Sequence, residues 1–94
     1  MSSYRELVEI FSEINDPEEM DSFFQEIFTP KEINDISLRW ELLKELYEGN
    51  TQRGIAEKHG ISLCKITRGS KVLKKKRSIT LKLLQKHDKR KEKV

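Results

Sequence analysis

The sequence is poor in the residues that build covalent or metal-based sites, with one cysteine, Cys64, and two histidines, His59 and His87. A lone cysteine cannot form a disulfide within the chain. One thiol with two separated imidazoles also falls short of an ordinary zinc ligand set. No nucleophile paired with a base and no glycine-rich phosphate loop is present, so we do not expect an enzyme.

Long apolar runs are missing as well, since no stretch approaches the roughly 20 residues that cross a bilayer. The first ten residues contain two acids, where a secretion signal needs an uninterrupted apolar segment. A single free cysteine suits a reducing compartment. We therefore expect a cytoplasmic protein with no membrane partner.

Composition predicts a single small domain, because 94 residues rarely form more than one. Charged residues make up 37% of the chain and apolar residues 35%, so a monomer would have a thin core. Small chains gain buried surface by oligomerising. A homodimer fits these numbers.

Charge is distributed unevenly along the chain. Residues 1–50 contain 4 basic and 13 acidic residues, whereas residues 51–94 contain 15 basic and 3 acidic ones. Such asymmetry indicates a polyanion that faces one half only. The alternative is a solvated lysine-rich tail, but basic residues such as Arg53 and Lys65 precede that tail.

The spacing of apolar residues predicts an all-α chain of six helices. Asp16 and Pro17 are typical of a cap and first turn, and they begin the second helix. Thr29 and Pro30 open the third with a capping box, and Gly49 permits a left-handed exit from it. Shorter helices are predicted at residues 51–59, 62–76 and 79–87, followed by a frayed tail from residue 86.

The third helix has two apolar edges and is therefore expected at the centre of an assembly, between two subunits. One edge consists of Ile33, Ile36, Trp40, Leu43 and Tyr47, and the other of Leu42 and Leu46. We interpret residues 1–94 as one helical domain. Within it, residues 1–49 supply dimerisation helices, residues 50–76 a helix-turn-helix, and residues 77–94 a last helix and basic tail.

Residues 52–72, QRGIAEKHGISLCKITRGSKV, fit a helix-turn-helix. Ala56 is small where the two helices approach, and Gly60 supplies the positive φ angle of the tight turn. Three isoleucines fill the contact between the helices: Ile55, Ile61 and Ile66. The alternative is an ordinary helical hairpin that serves stability alone.

The second helix of this motif is expected to begin after a Ser62 cap and to enter the major groove of DNA with its N-terminal residues. Its exposed face carries Leu63, Cys64, Thr67 and Lys71. Two residues depart from the pattern. Gly54 costs a helix about 1 kcal/mol, and His59 stands where an apolar residue is expected.

Residues 28–74 resemble the tryptophan repressor family. The shared features are Thr29-Pro30 at a helix start, a central Arg39, a helix ending at Gly49, TQR at residues 51–53 and ITRGS at residues 66–70. The ITRGS run is the most specific of these, because many helix-turn-helix proteins share the alanine–glycine–isoleucine skeleton.

The resemblance implies six-helix subunits in an intertwined homodimer that binds operator DNA. It also implies that L-tryptophan is the corepressor, with no further cofactor, and that the targets are tryptophan synthesis or uptake genes. Arg39 and Arg68 would sandwich the indole, and Arg68 would also pair with the carboxylate, tasks that suit a planar cation.

The same resemblance implies the other ligand contacts. Gly69 would leave room for the ring, Thr29 would offer its hydroxyl to the carboxylate, and the carbonyls of Glu26 and Phe28 of the other subunit would receive the ammonium group. Alternatives remain for the two arginines. Arg39 could pair with Asp35 or simply face solvent, and Arg68 could contact a phosphate.

Two residues depart from the family near this pocket. Val72 stands where the family has a serine whose hydroxyl helps to hold the ammonium group, and Lys65 replaces a smaller residue. The loop between Gly49 and Gln52 is also one residue shorter. These departures leave open a lower affinity for tryptophan or a related indole as the ligand.

For DNA, Arg53 is the leading candidate for a base contact, because arginine paired with guanine is the commonest specific contact. Other residues match contacting positions of the family: Gln52, Leu63, Cys64, Thr67 and Lys74. Cys64 is either a small apolar contact in the groove or a reactive thiol. Because the family reads bases largely through water, the operator sequence cannot be deduced from these residues.

Two other functions stay open. Val72 favours a helix-turn-helix regulator without tryptophan control. The lysine-rich tail favours a basic helical protein that binds RNA or another protein.

Overall fold

The computed structural model describes residues 2–88, which form six α-helices and no strand. The helices are α1 (Ser3–Glu13), α2 (Pro17–Ile27), α3 (Pro30–Tyr47), α4 (Gln52–His59), α5 (Leu63–Lys74) and α6 (Ile79–Lys86). The predicted all-α fold with six helices is confirmed. None of these helices combines the length and apolarity needed to cross a bilayer.

The chain divides into two compact units, Met1–Ile36 and Ser37–Val94, and the boundary lies inside α3. In the first unit, the predicted helix starts are confirmed by their hydrogen bonds. The Asp16 carboxylate accepts from the Glu19 N–H at 3.2 Å. The Thr29 N–H donates to Glu32 at 2.9 Å, and the Glu32 N–H donates to the Thr29 hydroxyl at 3.1 Å.

Four phenylalanines form the interior of the first unit. The Phe11 ring centroid lies 5.5 Å from that of Phe23 and 5.7 Å from that of Phe24, and Phe24 lies 5.1 Å from Phe28. Even so, no residue from 2 to 36 is fully buried. The aromatic cluster is thus open on part of its surface.

The second unit has a buried centre made by three helices. Leu42 of α3, Ile55 of α4 and Ile66 of α5 are 6%, 2% and 0% exposed. Partly buried apolar residues pack around them: Leu38, Leu46, Ala56 and Ile61. The predicted role of the isoleucines between the two motif helices is confirmed.

Two glycines shape the exits of α3 and α4, as the sequence predicts. Gly49 has a φ of 97°, and the following Asn50 N–H donates to the Glu45 carbonyl at 3.1 Å. Gly60 has a φ of 64°, and the Ile61 N–H donates to the Ala56 carbonyl of α4 at 3.1 Å. Both backbone angles lie in the region that favours glycine.

The predicted bounds and cap of α5 need correction. The helix ends at Lys74, not Lys76, and Lys75 is already extended with a ψ of 136°. Lysine is a good helix former, so the basic run gave no stop signal. Ser62 does precede α5, but its hydroxyl makes no cap bond. Instead its carbonyl accepts from the Lys65 N–H at 3.3 Å.

The two edges of α3 differ in burial. Leu42 is buried by the chain itself, whereas Ile36 and Trp40 on the opposite edge are 41% and 38% exposed. Leu43 belongs to the same edge as Ile36 and Trp40 but is buried, so only part of that edge is exposed. The predicted fraying of the tail falls mostly on residues 89–94, which lie outside the described residues.

Candidate functional site

Helices α4 and α5 form a pair joined by the left-handed turn at Gly60. Thr51 caps α4, and its hydroxyl accepts from the Gly54 N–H at 3.0 Å. A Cβ atom added to Gly54 would lie 2.9 Å from that same hydroxyl oxygen. The glycine that departs from the sequence pattern is therefore explained by the close approach of its cap.

The N-terminal turn of α5 is open to solvent. Leu63, its first residue, is 43% exposed, and Cys64 is exposed beside it. Arg53, at the second position of α4, and Lys74, at the end of α5, are exposed as well. Neither of these two cations forms an ion pair within residues 2–88. All four side chains are thus exposed to solvent in the single chain.

Two other predicted DNA-contacting residues bind each other. The Thr67 hydroxyl lies 3.0 Å from the Gln52 side-chain oxygen, to which it can donate, and 3.1 Å from the Leu63 carbonyl. Gln52 and Thr67 are half-buried. The sequence did not predict this hydrogen bond between α4 and α5, because the two residues are 15 positions apart.

The whole of α5 lies in a stretch without acids. Residues 58–87 contain ten basic residues and no aspartate or glutamate. On α5, Lys65, Arg68 and Lys71 follow one another at intervals of three, which places them on one face of the helix. All three are exposed. This face can attract a polyanion and offers it no repelling group.

Glu45, near the end of α3, is the one buried charged residue of the described chain and is 4% exposed. It forms a cluster with α4, because one of its oxygens accepts from Lys58 and the other lies 2.7 Å from Nε2 of His59. The hydrogen bond from Lys58 is the main reason why the pKa of Glu45 is lowered, although burial opposes the shift. The pKa of Lys58 is raised by the same carboxylate.

The Glu45 cluster was not predicted from the sequence. The available signal was His59, which stands where an apolar residue was expected. A half-buried imidazole needs a polar partner, and here that partner is a carboxylate from another helix. The cluster fixes α4 to the end of α3.

The ligand residues predicted within Ser37–Val94 have the following surroundings. Arg39 and Arg68 are exposed and form no ion pair within the described part of this unit. Val72 is half-buried. A Cβ atom on Gly69 would lie 3.2 Å from the Leu46 side chain and 3.4 Å from that of Leu43. Gly69 therefore lets α5 approach α3 closely.

The ligand residues predicted within Met1–Ile36 lie around the α2–α3 junction. The Thr29 hydroxyl accepts from Glu32 and keeps its own proton for donation, so capping and ligand binding are compatible. The carbonyl of Glu26 has no helical donor, because the residue four positions on is Pro30. Phe28 lies between the two helices, so its carbonyl belongs to neither helical ladder.

A family model described as "Trp repressor protein" matches residues 2–88 of this chain. The chain belongs to the Trp repressor family. The match extends well beyond residues 28–74, which carried the resemblance, and takes in α1, α2 and α6. The Trp repressor family is one of regulators rather than enzymes.

Curated relatives agree with the Trp repressor match. A "Trp operon repressor homolog" of Chlamydia trachomatis serovar D is 42% identical over 59 residues, which is 57% of this chain and 63% of the relative. A protein of the same name from Chlamydia caviae is 36% identical over 74 residues, covering 78% and 73%. The chain thus spans less than two thirds of the first of these relatives. No solved structure matches it.

Proposed function

We propose that this chain is a sequence-specific DNA-binding repressor that works as a cytoplasmic homodimer. In this proposal L-tryptophan is the corepressor and the regulated genes serve tryptophan synthesis or uptake. The observation that carries it is the open N-terminal turn of α5, set in an acid-free stretch of a chain from the Trp repressor family.

DNA recognition follows from a helix-turn-helix made by α4 and α5. The first turn of α5, with Leu63 and Cys64, enters the major groove, as the second helix of such a motif does. Arg53 reaches a base edge, where a bidentate contact with guanine is worth about 1–3 kcal/mol of discrimination. Gln52, Thr67 and Lys74 lie at flanking positions.

A second copy of the chain would cover the exposed edge of α3. Trp40 is 38% exposed and borders a groove of about 300 Å³ with Tyr47 and Leu84. Ile36 on the same edge is 41% exposed. Large apolar side chains grouped in this way are typical of an interface with another protein.

Tryptophan binding is supported by two cations, Arg39 and Arg68, that form no ion pair within residues 2–88. A guanidinium can stack on an indole ring and can grip a carboxylate. The Thr29 hydroxyl would add a donor to the carboxylate, and the carbonyls of Glu26 and Phe28 from the partner subunit would receive the ammonium group.

Regulation without tryptophan is the second candidate, and Gly69 favours it. The close approach of α5 to Leu46 and Leu43 explains a glycine at this position without any ligand. Val72 also lacks the hydroxyl that would help to hold an ammonium group. In this case the protein would bind its operator at all tryptophan concentrations.

The deciding experiment measures operator affinity with and without millimolar L-tryptophan, using an operator selected from random duplexes. Tryptophan should strengthen DNA binding, and DNA should strengthen tryptophan binding by the same factor. Arg68→Ala should abolish the response, and Val72→Ser should tighten tryptophan binding several-fold. Gly69 is a poor target here, because a larger side chain would also disturb its packing on α3.

Arg53→Ala provides the matched control. It should lose discrimination between the operator and a scrambled duplex, yet it should still bind tryptophan in a calorimeter. Equal operator affinity of the wild type with and without tryptophan would favour the second candidate. Loss of tryptophan binding in Arg53→Ala would show that this residue does not act on DNA alone.

A further inference from the structure

The connection between α5 and α6 is a tight turn with an unusual residue in it. The Ser78 N–H donates to the Lys75 carbonyl at 3.1 Å, which closes a four-residue turn. Arg77, the third residue of this turn, has a φ of 60°. It is the one non-glycine residue in residues 2–88 with a positive φ.

A positive φ at the third position of such a turn favours glycine or asparagine. An arginine there is held in a conformation that its Cβ atom disfavours. Strained backbone positions of this kind concentrate at functional sites. The turn would form more easily with glycine, so forming the turn does not account for the arginine.

The turn is also strongly basic and exposed. Lys75, Lys76 and Arg77 are all exposed, and none of them forms an ion pair among the described residues. Lys75 directly follows Lys74, the last residue of α5, so the basic residues of the helix lead without a break into those of the turn. A line of positive charge therefore runs from the first turn of α5 to this connection.

The length of α5 decides where this connection would lie on DNA. Twelve residues span about 18 Å, whereas the major groove is about 12 Å wide and 8.5 Å deep. A helix with its first turn at the base edges therefore extends beyond the groove at its C-terminal end. The connection would then be on the side of the phosphate backbone.

We propose that residues 75–77 form a phosphate-binding element that contacts the DNA backbone, separate from the residues predicted to read bases. This inference rests on the proposed DNA-binding function. Arg77 supplies the planar guanidinium that matches a phosphate group. The turn is well anchored, because the Ser78 hydroxyl caps α6 by accepting from the Leu81 N–H at 3.1 Å.

The test compares Arg77→Gly with Lys82→Gln, an exposed residue of α6 whose replacement removes the same charge. Affinity for the selected operator and for a scrambled duplex is measured by fluorescence anisotropy over a range of salt. For Arg77→Gly, the slope of log affinity against log salt should become flatter by about 0.9 per subunit. For the proposed dimer, in which both subunits carry the change, the ratio of wild-type to variant affinity should then fall about 12-fold between 50 and 200 mM salt, equally on both duplexes.

Stability should change in the opposite direction, since glycine relieves the strained backbone. Arg77→Gly should unfold at a higher urea concentration than the wild type, and Arg77→Lys should keep the wild-type salt slope. Lys82→Gln should leave the salt slope and the unfolding midpoint unchanged.

Either of two results would overturn the inference: a salt slope for Arg77→Gly equal to that of Lys82→Gln, or an unfolding midpoint below that of the wild type. If the wild type still prefers its operator in that case, the proposed DNA-binding function survives. Wild-type protein that binds neither duplex would overturn that function and this inference together.

Discussion

The two units of the chain hold their apolar residues in different ways. Within residues 37–88, five apolar side chains are at most 9% exposed, whereas residues 2–36 contain no buried residue despite their aromatic cluster. Charge separates them too, because residues 1–36 have 2 basic and 10 acidic residues and residues 37–94 have 17 and 6. The second unit thus has its own buried core and a positive net charge, whereas the first unit has a negative net charge and leaves its apolar side chains partly exposed.

The largest effect should come from emptying the core of the second unit. Ile66 is 0% exposed, so Ile66→Ala should lower the free energy of unfolding by about 2–5 kcal/mol through lost burial and a cavity. Ile79 is 73% exposed, and Ile79→Ala should change the free energy of unfolding by about 0.5 kcal/mol or less. Urea unfolding of both variants checks this, and similar losses in the two would mean that Ile66 is not a core residue.

We expect a second copy of the chain to cover the exposed edge of α3 that contains Trp40. Sedimentation at micromolar concentration should give twice the chain mass of 11.1 kDa. Trp40→Ala should weaken the dimer by about 2 kcal/mol, as buried tryptophans at interface centres do. Exposed Lys82→Ala serves as the control. A wild-type protein that sediments at the single-chain mass would remove the proposed dimer.

A smaller effect should come from the Glu45 cluster, and it should depend on pH. Lys58 and His59 hold the pKa of Glu45 below its usual range. The ionised carboxylate therefore stabilises the folded chain at pH values above the usual pKa range of a glutamate. This stabilisation is lost as the pH falls through the lowered pKa. Glu45→Gln should cost about 1 kcal/mol near neutral pH and should lose less stability than the wild type on acidification.

The control for this variant is Glu57→Gln, which removes an exposed carboxylate from α4. Its unfolding midpoint in urea should follow the wild-type pH dependence. If Glu45→Gln and Glu57→Gln lose stability in parallel as the pH falls, the Glu45 cluster does not stabilise the junction of α3 and α4.

The smallest effect concerns Gly54. Replacing a helical glycine by alanine normally gains about 1 kcal/mol, but the new Cβ atom would approach the Thr51 hydroxyl to 2.9 Å. Gly54→Ala should therefore gain little or nothing in the wild type and should show its gain only beside Thr51→Ala. A double-mutant cycle measures this coupling, and a full gain in the wild type would show that the cap adjusts freely.

Sequence alone predicted the features of the fold that depend on neighbouring residues. The caps at Asp16 and Thr29 and the left-handed exits at Gly49 and Gly60 each require only a few adjacent positions. The end of α5 was predicted two residues too late, because lysines suit both a helix and an exposed turn. In the structure, a turn from Lys75 to Ser78 follows the helix directly.

The candidate site was predictable as a set of residue types but not as a set of contacts. Exposure of Leu63 and Cys64 followed from helical spacing. The Glu45–His59 pair joins residues 14 positions apart on different helices, and its formation depends on how α4 packs against α3. Such a pair becomes visible only when the fold is known.

The hydrogen bond between Thr67 and Gln52 couples the conformations of the two side chains. In the proposed complex with operator DNA, a base that bound Gln52 would therefore also release or reorient Thr67. The preferences at the two corresponding base pairs would then be non-additive, in the manner of neighbouring residues that share a partner. A binding-site matrix that treats operator positions independently would then misjudge the affinity for sequences that differ at both of these base pairs. Replacing Thr67 with valine removes the hydrogen bond to Gln52 and would make the two preferences additive again.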